Sequence, residues 1–370
     1  MRNNKKDKNT SEYPFVSICT PTFNRRPFVP MMLKCFEHQT YPKDRIEWII
    51  IDDGTDKIED LVTHIPQVKY FKYNEKLTLG KKRNISNEKA IGEIIVYMDD
   101  DDYYPPERVS HAVETLKKSP KALCAGSSGV LIFFKHVNKM YQFGPYGPNH
   151  STAATFAFKR ELLTKTKFNE EASVAEEKFF LKDYTIPFVQ LETNKSIIVF
   201  SHNHNSFDKK ELLEQLPNPF VKEVEIKPAD LIKEQEILKF FMEDIDSMLD
   251  AYEPGNLENK PDVQKELKII KERREKMMQE QRERQTQQQS SMNPQVLQQK
   301  LNEQSYVIQQ LSLENKQLNE KIKYLEDTVT KLIQDKIQEK KKKLEKDNNT
   351  CYSEKHIELS ETPHVISNTI

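Results

Sequence analysis

The chain has 370 residues, and its 57 Lys and Arg nearly balance its 58 Asp and Glu, so the formal net charge is -1. This balance does not favour nucleic acid or a membrane surface as a partner. The four Cys form no CxxC pair, which argues against a zinc site or a disulfide framework. No stretch approaches the roughly 18 apolar residues that span a bilayer. The polar N-terminus lacks a signal-peptide core, so a cytoplasmic location is expected.

Apolar runs alternate with segments of helical spacing in the first part of the chain. Strands are predicted, in chain order, at residues 15–19, 47–51, 68–73, 93–98, 129–134, 153–158, 186–191 and 196–200. Helices are predicted at residues 28–39, 79–90, 107–117 and 174–184. Nearly continuous apolar strands that alternate with helices indicate an α/β domain with a mostly parallel sheet.

The remainder of the chain is rich in Lys, Glu and Gln and predicts helices. An amphipathic helix is predicted over 229–252, a charged helix over 261–285 and a polar linker over 285–291. A heptad pattern begins after Pro294. Its a positions are Leu301, Ile308, Asn315, Ile322 and Val329, and its d positions are Leu297, Gln304, Leu311, Leu318, Leu325 and Leu332. This pattern favours a parallel two-stranded coiled coil and hence a homodimer. A long solvated single helix is the alternative.

These patterns divide the chain into five segments. They are a disordered lead (1–13), an α/β domain (14–215), a charged helical extension (216–290), a coiled coil (291–345) and a disordered tail (346–370).

Two acidic clusters follow predicted strands. Asp52 and Asp53 precede Gly54, and Asp99 to Asp102 form an unbroken tetrad. Ligands of open α/β sheets bind at the carboxyl ends of the strands. Adjacent carboxylates repel one another, and a divalent cation with hard oxygen ligands, such as Mg²⁺ or Mn²⁺, would compensate this repulsion. A solvated acidic loop is the alternative for the tetrad alone, but the second cluster favours a site.

Five motifs resemble, in order and spacing, those of glycosyltransferase family 2. They are SICTPTFNR (17–25), QTYP (39–42), IIIDDGT (49–55), GKKRN (80–84) and YMDDDDYYPP (97–106). The resemblance covers about residues 13–205. It implies a GT-A fold, which is Rossmann-like, and transfer of a sugar from a nucleotide diphosphate to an acceptor hydroxyl. Residues 99–106, with 175–178 and 202–205, resemble in particular glycosyltransferases encoded by large DNA viruses, which would place the chain in the host cytoplasm or the virion.

The resemblance also implies roles for individual residues. The residues expected to bind the nucleotide sugar are Thr20, Pro21, Asp52, Asp53, Arg83, Asp99 and Asp100. Asp99 and Asp101 would form the DXD pair, and Asp101 would bind Mn²⁺ or Mg²⁺ directly. His202 and His204 follow a predicted strand at a spacing that puts both rings on one side, so at least one is expected to meet the metal or the diphosphate.

Glu176 and Glu177 match an acidic pair that opens a helix and supplies the catalytic base in inverting members of the family. The family usually has Asp at the second position, so either residue could be the base; Glu177 is favoured. The alternative is that these carboxylates stabilise a helix N-terminus.

The sequence thus predicts a metal-dependent, inverting glycosyltransferase with a nucleotide-diphosphate sugar as donor, UDP-sugar being favoured, and a glycan or protein as acceptor. A catalytically inert GT-A-like module that assembles through its coiled coil is the alternative. A sugar-1-phosphate nucleotidyltransferase is disfavoured because the loop over residues 20–25 contains no Gly.

Overall fold

The computed structural model describes residues 13–173, 177–205, 208–214, 216–290 and 294–357. The predicted disordered lead up to residue 12, and the predicted tail from residue 358, lie outside the described residues. The chain divides into two compact units, residues 1–275 and 276–370. The first unit thus extends past the boundary expected near residue 215.

The strands are β1 Val16–Thr22, β2 Ile46–Asp52, β3 Val68–Lys72, β4 Ile94–Tyr97, β5 Cys124–Gly126, β6 Val130–Phe134, β7 Lys139–Phe143, β8 Ala157–Lys159, β9 Phe188–Gln190, β10 Ile198–Ser201 and β11 Val221–Val224. The helices are α1 Val29–Glu37, α2 Glu59–Val62, α3 Leu79–Lys89, α4 Arg108–Lys118, α5 Glu177–Phe180, α6 Glu211–Glu214, α7 Pro228–Leu231, α8 Gln235–Lys239, α9 Ile245–Asp250, α10 Pro261–Ser290 and α11 Pro294–Ile357.

Within the described residues, seven strands form one sheet in the order β3-β2-β1-β4-β8-β5-β9. The pairs β2–β3, β1–β2, β1–β4 and β5–β9 are parallel, and β8 is antiparallel to both β4 and β5. A four-stranded sheet has the order β10-β6-β7-β11. The predicted α/β class with a mostly parallel sheet is confirmed.

The central strands β1 and β2 are buried along their whole length, which explains their nearly continuous apolar sequences. Trp48 of β2 stacks on Phe36 of α1 on one face of the sheet, with ring centroids 4.5 Å apart. Tyr97 of β4 packs with Phe158 and Phe168 in a second apolar cluster. Helices therefore cover the sheet and leave the carboxyl ends of β1 and β4 side by side.

The C-terminal part differs from its predicted helices in two places. The segment predicted as one helix over 229–252 is broken into α7, α8, a π-helical turn at Phe240–Asp244 and α9. Phe241 stacks on Phe200 of β10 at 4.4 Å, so packing against the second sheet outweighs helical periodicity. The predicted linker at 285–291 is helical through Ser290, in keeping with the good helix propensity of Gln.

Helix α11 runs to Ile357, past the predicted end of the coiled coil at residue 345. Among the described helices, none combines the length and apolar character that crossing a membrane would require.

Candidate active site

The acidic tetrad directly follows β4, next to the loop that leaves β1. Cys19 of β1 is in register with Tyr97 of β4, and the Met98 N–H donates to the Cys19 carbonyl at 3.2 Å. A cavity of 130 Å³ opens here. Its charged lining residues are Arg25, Lys76, Lys82, Asp99, Asp100, Asp101, Lys260 and Asp262. Carboxylates and cationic side chains therefore share one small cleft.

Arg25 is the principal counter-charge of the tetrad. Its guanidinium is buried, with Nη2 at 3.0 Å from Asp101 Oδ2 and Nε at 3.6 Å from Asp100 Oδ1. Its Nη1 donates to the carbonyl of His204 at 2.8 Å. Arg25 was not predicted as a site residue, although it closes the first family motif; its charge and motif position were the available signal.

The tetrad carboxyls differ in their proton affinity. Burial raises the pKa of Asp100 to about 7, against the opposing effect of Arg25. Burial also raises the pKa of Asp102. Burial acts in the same direction on Asp101, but Arg25, His202 and Lys209 together outweigh it and hold the pKa of Asp101 well below its usual range. Of these three carboxyls, Asp101 is therefore the one that stays ionised.

The donor chemistry of the cavity fits a hard divalent cation. Asp99 and Asp101 line the same cavity, and two carboxylates with substrate phosphates are a usual ligand set for Mg²⁺. Within the described residues, the buried Oδ1 of Asp102 has no hydrogen-bond partner. Burial first, and then the neighbouring carboxylates, raise the pKa of Asp100 and Asp102, and a bound cation would stabilise their ionised forms. Over the same residues, however, no three His, Cys, Asp or Glu side chains converge as a ready-made metal site.

Asp52 and Asp53 face in different directions. Asp52 accepts hydrogen bonds from Gly54 N at 2.8 Å, Ile58 N at 3.1 Å and the Tyr70 hydroxyl at 2.6 Å, so it organises its own loop. Asp53 is also buried. Its carboxylate accepts from Lys82 Nζ at 2.8 Å and from the backbone N–H of Leu77 at 2.6 Å. Asp53 thereby positions a lysine that lines the cavity.

Three other predicted donor residues lie around the same strands. Pro21 lines the cavity. The Thr20 hydroxyl donates to the Met98 carbonyl at 2.7 Å, so its side chain ties β1 to the segment after β4. Arg83 is buried over the Tyr97 ring, at 4.5 Å from its centroid, and its Nη2 lies 3.6 Å from Asp99 Oδ1. Arg83 therefore supports one member of the predicted DXD pair.

The two predicted histidines have different surroundings. The Asn205 amide donates to His202 Nε2 at 2.8 Å, and that nitrogen lies 3.5 Å from Asp101 Oδ2. Burial lowers the pKa of His202 to about 4, so the ring is neutral at pH 7. The His204 ring instead lies against Gly255, where an added Cβ would come within 2.4 Å of Nδ1. The structure thus brings His202, rather than the His204 ring, beside the tetrad.

The predicted base pair is described only in part. Glu176 lies outside the described residues, with its neighbours 174 and 175. Glu177 begins the short helix α5, which Phe180 anchors by stacking on Phe168 at 4.1 Å. Ser173, just before this gap, lines the cavity. The predicted role of Glu177 stays a prediction.

A second cavity of 480 Å³ shares Phe23 and Lys76 with the first. Its lining includes Asp53, Thr55 and Asn74. The two cavities therefore meet at Phe23 and Lys76. Asp53 lines the second cavity directly, and it contacts the first cavity through its hydrogen-bond partner Lys82.

Three lysines in the first cavity were not predicted as site residues. Lys76 and Lys82 both lie near the Phe23 ring, with Nζ at 4.3 and 5.9 Å from its centroid. Burial lowers the pKa of Lys260 to about 7. Lys82 belongs to a family motif, but Lys260 lies in the charged extension, where no sequence signal separates it from neighbouring lysines.

Comparison with known proteins finds a family to which the sheet and its acidic loops are similar. Residues 17–170, less than half of the chain, match the family model described as Glycosyl transferase family 2. The chain is 28% identical over 179 residues to the GalNAc(5)-diNAcBac-PP-undecaprenol beta-1,3-glucosyltransferase of Campylobacter jejuni, which covers 43% of this chain and 56% of the relative. It is also 29% identical over 109 residues to the poly(ribitol-phosphate) beta-N-acetylglucosaminyltransferase TarS of Staphylococcus aureus. That alignment covers 26% of this chain and 18% of the relative.

Among solved structures, the mannosyltransferase PcManGT from Pyrobaculum calidifontis, in complex with GDP-Man and Mn²⁺, aligns with a TM-score of 0.42 at 19% identity. This alignment covers 51% of the present chain and 57% of the mannosyltransferase. The chain spans only part of the curated relatives that it matches, about half of the first. The matched region nevertheless contains β1, β2, β4 and both acidic clusters. Residues 17–170 are therefore similar to glycosyltransferase family 2, and the predicted GT-A fold is confirmed.

Proposed function

We propose that this chain is a metal-dependent, inverting glycosyltransferase that moves a sugar from a nucleotide diphosphate to an acceptor hydroxyl. The cavity at the carboxyl ends of β1 and β4 carries this proposal. There, residues 99–101 share one cleft with Arg25, Lys76, Lys82 and Lys260. Cationic side chains suit the oxygens of a diphosphate, and carboxylates suit the divalent cation that accompanies it.

The two adjoining cavities suit two parts of a donor. The cavity of 480 Å³ lies in the size range of small-molecule pockets and would take the nucleoside beside Asp53 and Asn74. The smaller, more highly charged cavity would take the diphosphate. The shared residues Phe23 and Lys76 lie where these two parts of the donor join. A UDP-sugar is the favoured donor, and the acceptor is a glycan or a protein.

Asp99 and Asp101 would hold Mn²⁺ or Mg²⁺ together with phosphate oxygens. When bound, the cation supplies positive charge to the departing diphosphate. Arg25 keeps Asp101 ionised and fixes its orientation through the 3.0 Å contact. Arg83, with Nη2 at 3.6 Å from Asp99 Oδ1, helps to orient Asp99. Lys82, held by Asp53, adds positive charge where the diphosphate leaves.

Glu177 is proposed as the base, with Glu176 as the alternative. The base would take the proton of the acceptor hydroxyl as its oxygen attacks the anomeric carbon, and the product would have inverted configuration. Ser173 lines the cavity, which supports a base a few residues later in the chain, as Glu177 is.

The test is a screen of the purified chain against UDP-, GDP- and TDP-sugars, with release of the nucleoside diphosphate as the measurement. Asp101→Asn should lower the rate by about a hundredfold or more because it removes a carboxylate that would hold the divalent cation at the diphosphate. Asp44→Asn, at an exposed position, is the matched control and should retain the rate. EDTA should silence the wild type, and Mn²⁺ or Mg²⁺ should restore it. An undiminished rate in Asp101→Asn would contradict the mechanism.

The alternative function is an inert GT-A-like module that acts in assembly. Such a module would release no nucleoside diphosphate from any donor and would behave identically with and without Asp101. Both functions accommodate a parallel coiled-coil homodimer, which we propose for α11 because Leu301, Ile308, Leu311 and Leu318 are each more than half exposed on the single chain. The narrower resemblance to viral enzymes, and a cytoplasmic or virion location, stay predictions.

A further inference from the structure

A segment beyond the matched family region covers both cavities. This strap, defined as residues 252–266, leads from the end of α9 into the first turns of α10. Its residues Glu253, Pro254, Asn259 and Pro261 line the larger cavity, and Lys260, Asp262 and Val263 line the smaller one. The strap thus contacts the sites proposed for both the nucleoside and the diphosphate.

The strap is attached to the loops that follow β1 and β2. The Tyr252 hydroxyl donates to Asp56 Oδ2 at 2.8 Å. The Asn24 amide donates to the Pro254 carbonyl at 2.9 Å. Both anchoring residues, Asn24 and Asp56, lie just past the strands whose carboxyl ends define the site. The strap is therefore held at the site by hydrogen bonds with the loops that follow β1 and β2.

Asp262 joins two other parts of the site. Its carboxylate accepts from the Ser173 hydroxyl at 2.9 Å and lies 3.2 Å from Lys76 Nζ. Glu266, one turn along α10, accepts from the backbone N–H of Ser173. The first turns of α10 thereby link a cavity lysine to the segment that precedes Glu177. Asp262 and Glu266 therefore fix the position of Ser173, and Asp262 also fixes that of Lys76.

Lys260 brings a cation into the smaller cavity. It is 3% exposed, which is unusual for a lysine, and its Nζ donates to the His204 carbonyl at 3.0 Å. The same carbonyl accepts from Arg25. An ammonium has three N–H donors, so Lys260 can keep its bond to His204 and donate to an anion in the cavity it lines.

We propose that Lys260 binds the diphosphate of the donor and that the strap is a working part of the donor site. This inference rests on the proposed function, because it assumes that a nucleoside diphosphate enters the two cavities. It goes beyond the family match, which ends at residue 170. Removal of the strap lysine should weaken binding of the diphosphate and leave binding of the nucleoside unchanged.

The experiment is calorimetric titration of the full chain with UDP, with uridine and with inorganic pyrophosphate, each with Mn²⁺. Lys260→Met and Lys260→Gln are the test variants, and Gln keeps a donor for the His204 carbonyl while it removes the charge. Lys268→Met, on an exposed position of α10 beyond the strap, is the matched control. We expect both test variants to weaken UDP and pyrophosphate binding about tenfold or more, the usual effect of losing a charged hydrogen bond. Uridine affinity should change less than twofold, and Lys268→Met should match the wild type.

Two other results would each have a definite meaning. Equal loss of UDP and uridine affinity in both variants would assign Lys260 a purely structural role and overturn the inference, as would unchanged affinities. A wild type that binds neither UDP nor pyrophosphate, and releases no product from any nucleotide sugar, would instead overturn the proposed function from which the inference starts.

Discussion

The guanidinium of Arg25 holds an ionised carboxylate inside the protein. In its contact with Asp101, the Arg25 side chain is buried and the Asp101 side chain is mostly buried, with 7% and 16% of the two side chains exposed. Loss of one member of a buried ion pair leaves the other charge uncompensated, which costs about 3 to 5 kcal/mol. Arg26, the next residue, pairs with Asp56 and Asp60 on a surface where such contacts contribute about 1 kcal/mol or less.

We therefore expect Arg25→Met to lower the free energy of unfolding by about 3 kcal/mol and Arg26→Met by about 1 kcal/mol or less. Urea unfolding followed by fluorescence of Trp48 measures this difference, because the only tryptophan of the chain lies in the first unit. Equal losses in the two variants would show that Arg25 does not carry a buried charge pair.

At the residue scale, the sequence predicted where the aspartates lie better than it predicted which groups contact them. Motif spacing placed Asp99 and Asp101 at one end of the sheet, and both line the cavity. The same kind of spacing assigned Asp52 and Asp53 to the nucleotide. In the structure Asp52 accepts hydrogen bonds from the N–H groups of its own loop and from the Tyr70 hydroxyl, and its contact with the nucleotide stays a prediction. Hydrogen bonds of a buried carboxylate depend on which backbone N–H groups turn towards it. The residue order alone does not contain that information.

Helix α3 depends on a glycine where it meets the segment that leads to Glu177. The Gly80 N–H donates to the Ala172 carbonyl at 2.9 Å, and a Cβ added to Gly80 would lie 1.8 Å from the Asn169 carbonyl oxygen. Both partners are backbone, so a side chain could fit only if the loop moved away.

We expect Gly80→Ala to cost about 1 to 3 kcal/mol, as overpacking usually does, and to reduce sugar transfer because the displaced loop ends at Ser173 on the cavity. Gly147→Ala is the control, because its nearest atom would be 3.9 Å away, and its stability should change by about 0.5 kcal/mol or less. Thermal unfolding and donor turnover are the measurements. Similar behaviour of the two variants would contradict the close packing of α3.

Elements were predictable where burial and periodicity agree. Strands β1, β2 and β4 and helices α1, α3 and α4 lie within a few residues of their predicted positions, because short continuous apolar runs are typical of buried strands and helical spacing is typical of amphipathic helices. The segment over 229–252 was different. Its apolar residues satisfy a helical pattern, yet contacts such as Phe240 with Phe28, at 6.3 Å between ring centroids, accompany a broken helix. Tertiary packing that spans hundreds of residues is invisible to a local pattern.

The two compact units have opposite surface character. Among the described residues, the first unit packs most of its large apolar side chains into buried clusters, whereas the long helix α11 exposes Leu, Ile and Val along its described side chains. An apolar stripe on a helix usually faces a packing partner, and α11 leaves its stripe exposed on the single chain. The heptad positions specify which face a second copy would cover, and Asn315 at position a favours two strands over higher states.

Two leucines of α11 distinguish a coiled coil from a solvated single helix. Leu318 occupies a d position and Leu313 lies on the outer face of the same heptad register, yet the single chain exposes them almost equally, at 52% and 55%. A partner helix would bury Leu318 and leave Leu313 in water. A carboxylate introduced at Leu318 would therefore be desolvated beside its counterpart, and one at Leu313 would stay hydrated.

Light scattering of the full chain during size-exclusion chromatography should give the wild type twice the chain mass of 43.6 kDa. Leu318→Glu should shift the protein towards the mass of one chain at micromolar concentration, and Leu313→Glu should remain a dimer. The two variants should have similar stability in the first unit, measured by Trp48 fluorescence, because neither position belongs to it. A wild type with the mass of one chain would favour the solvated single helix. Equal dissociation of both variants would show that the predicted a and d face is not the face that joins the two copies.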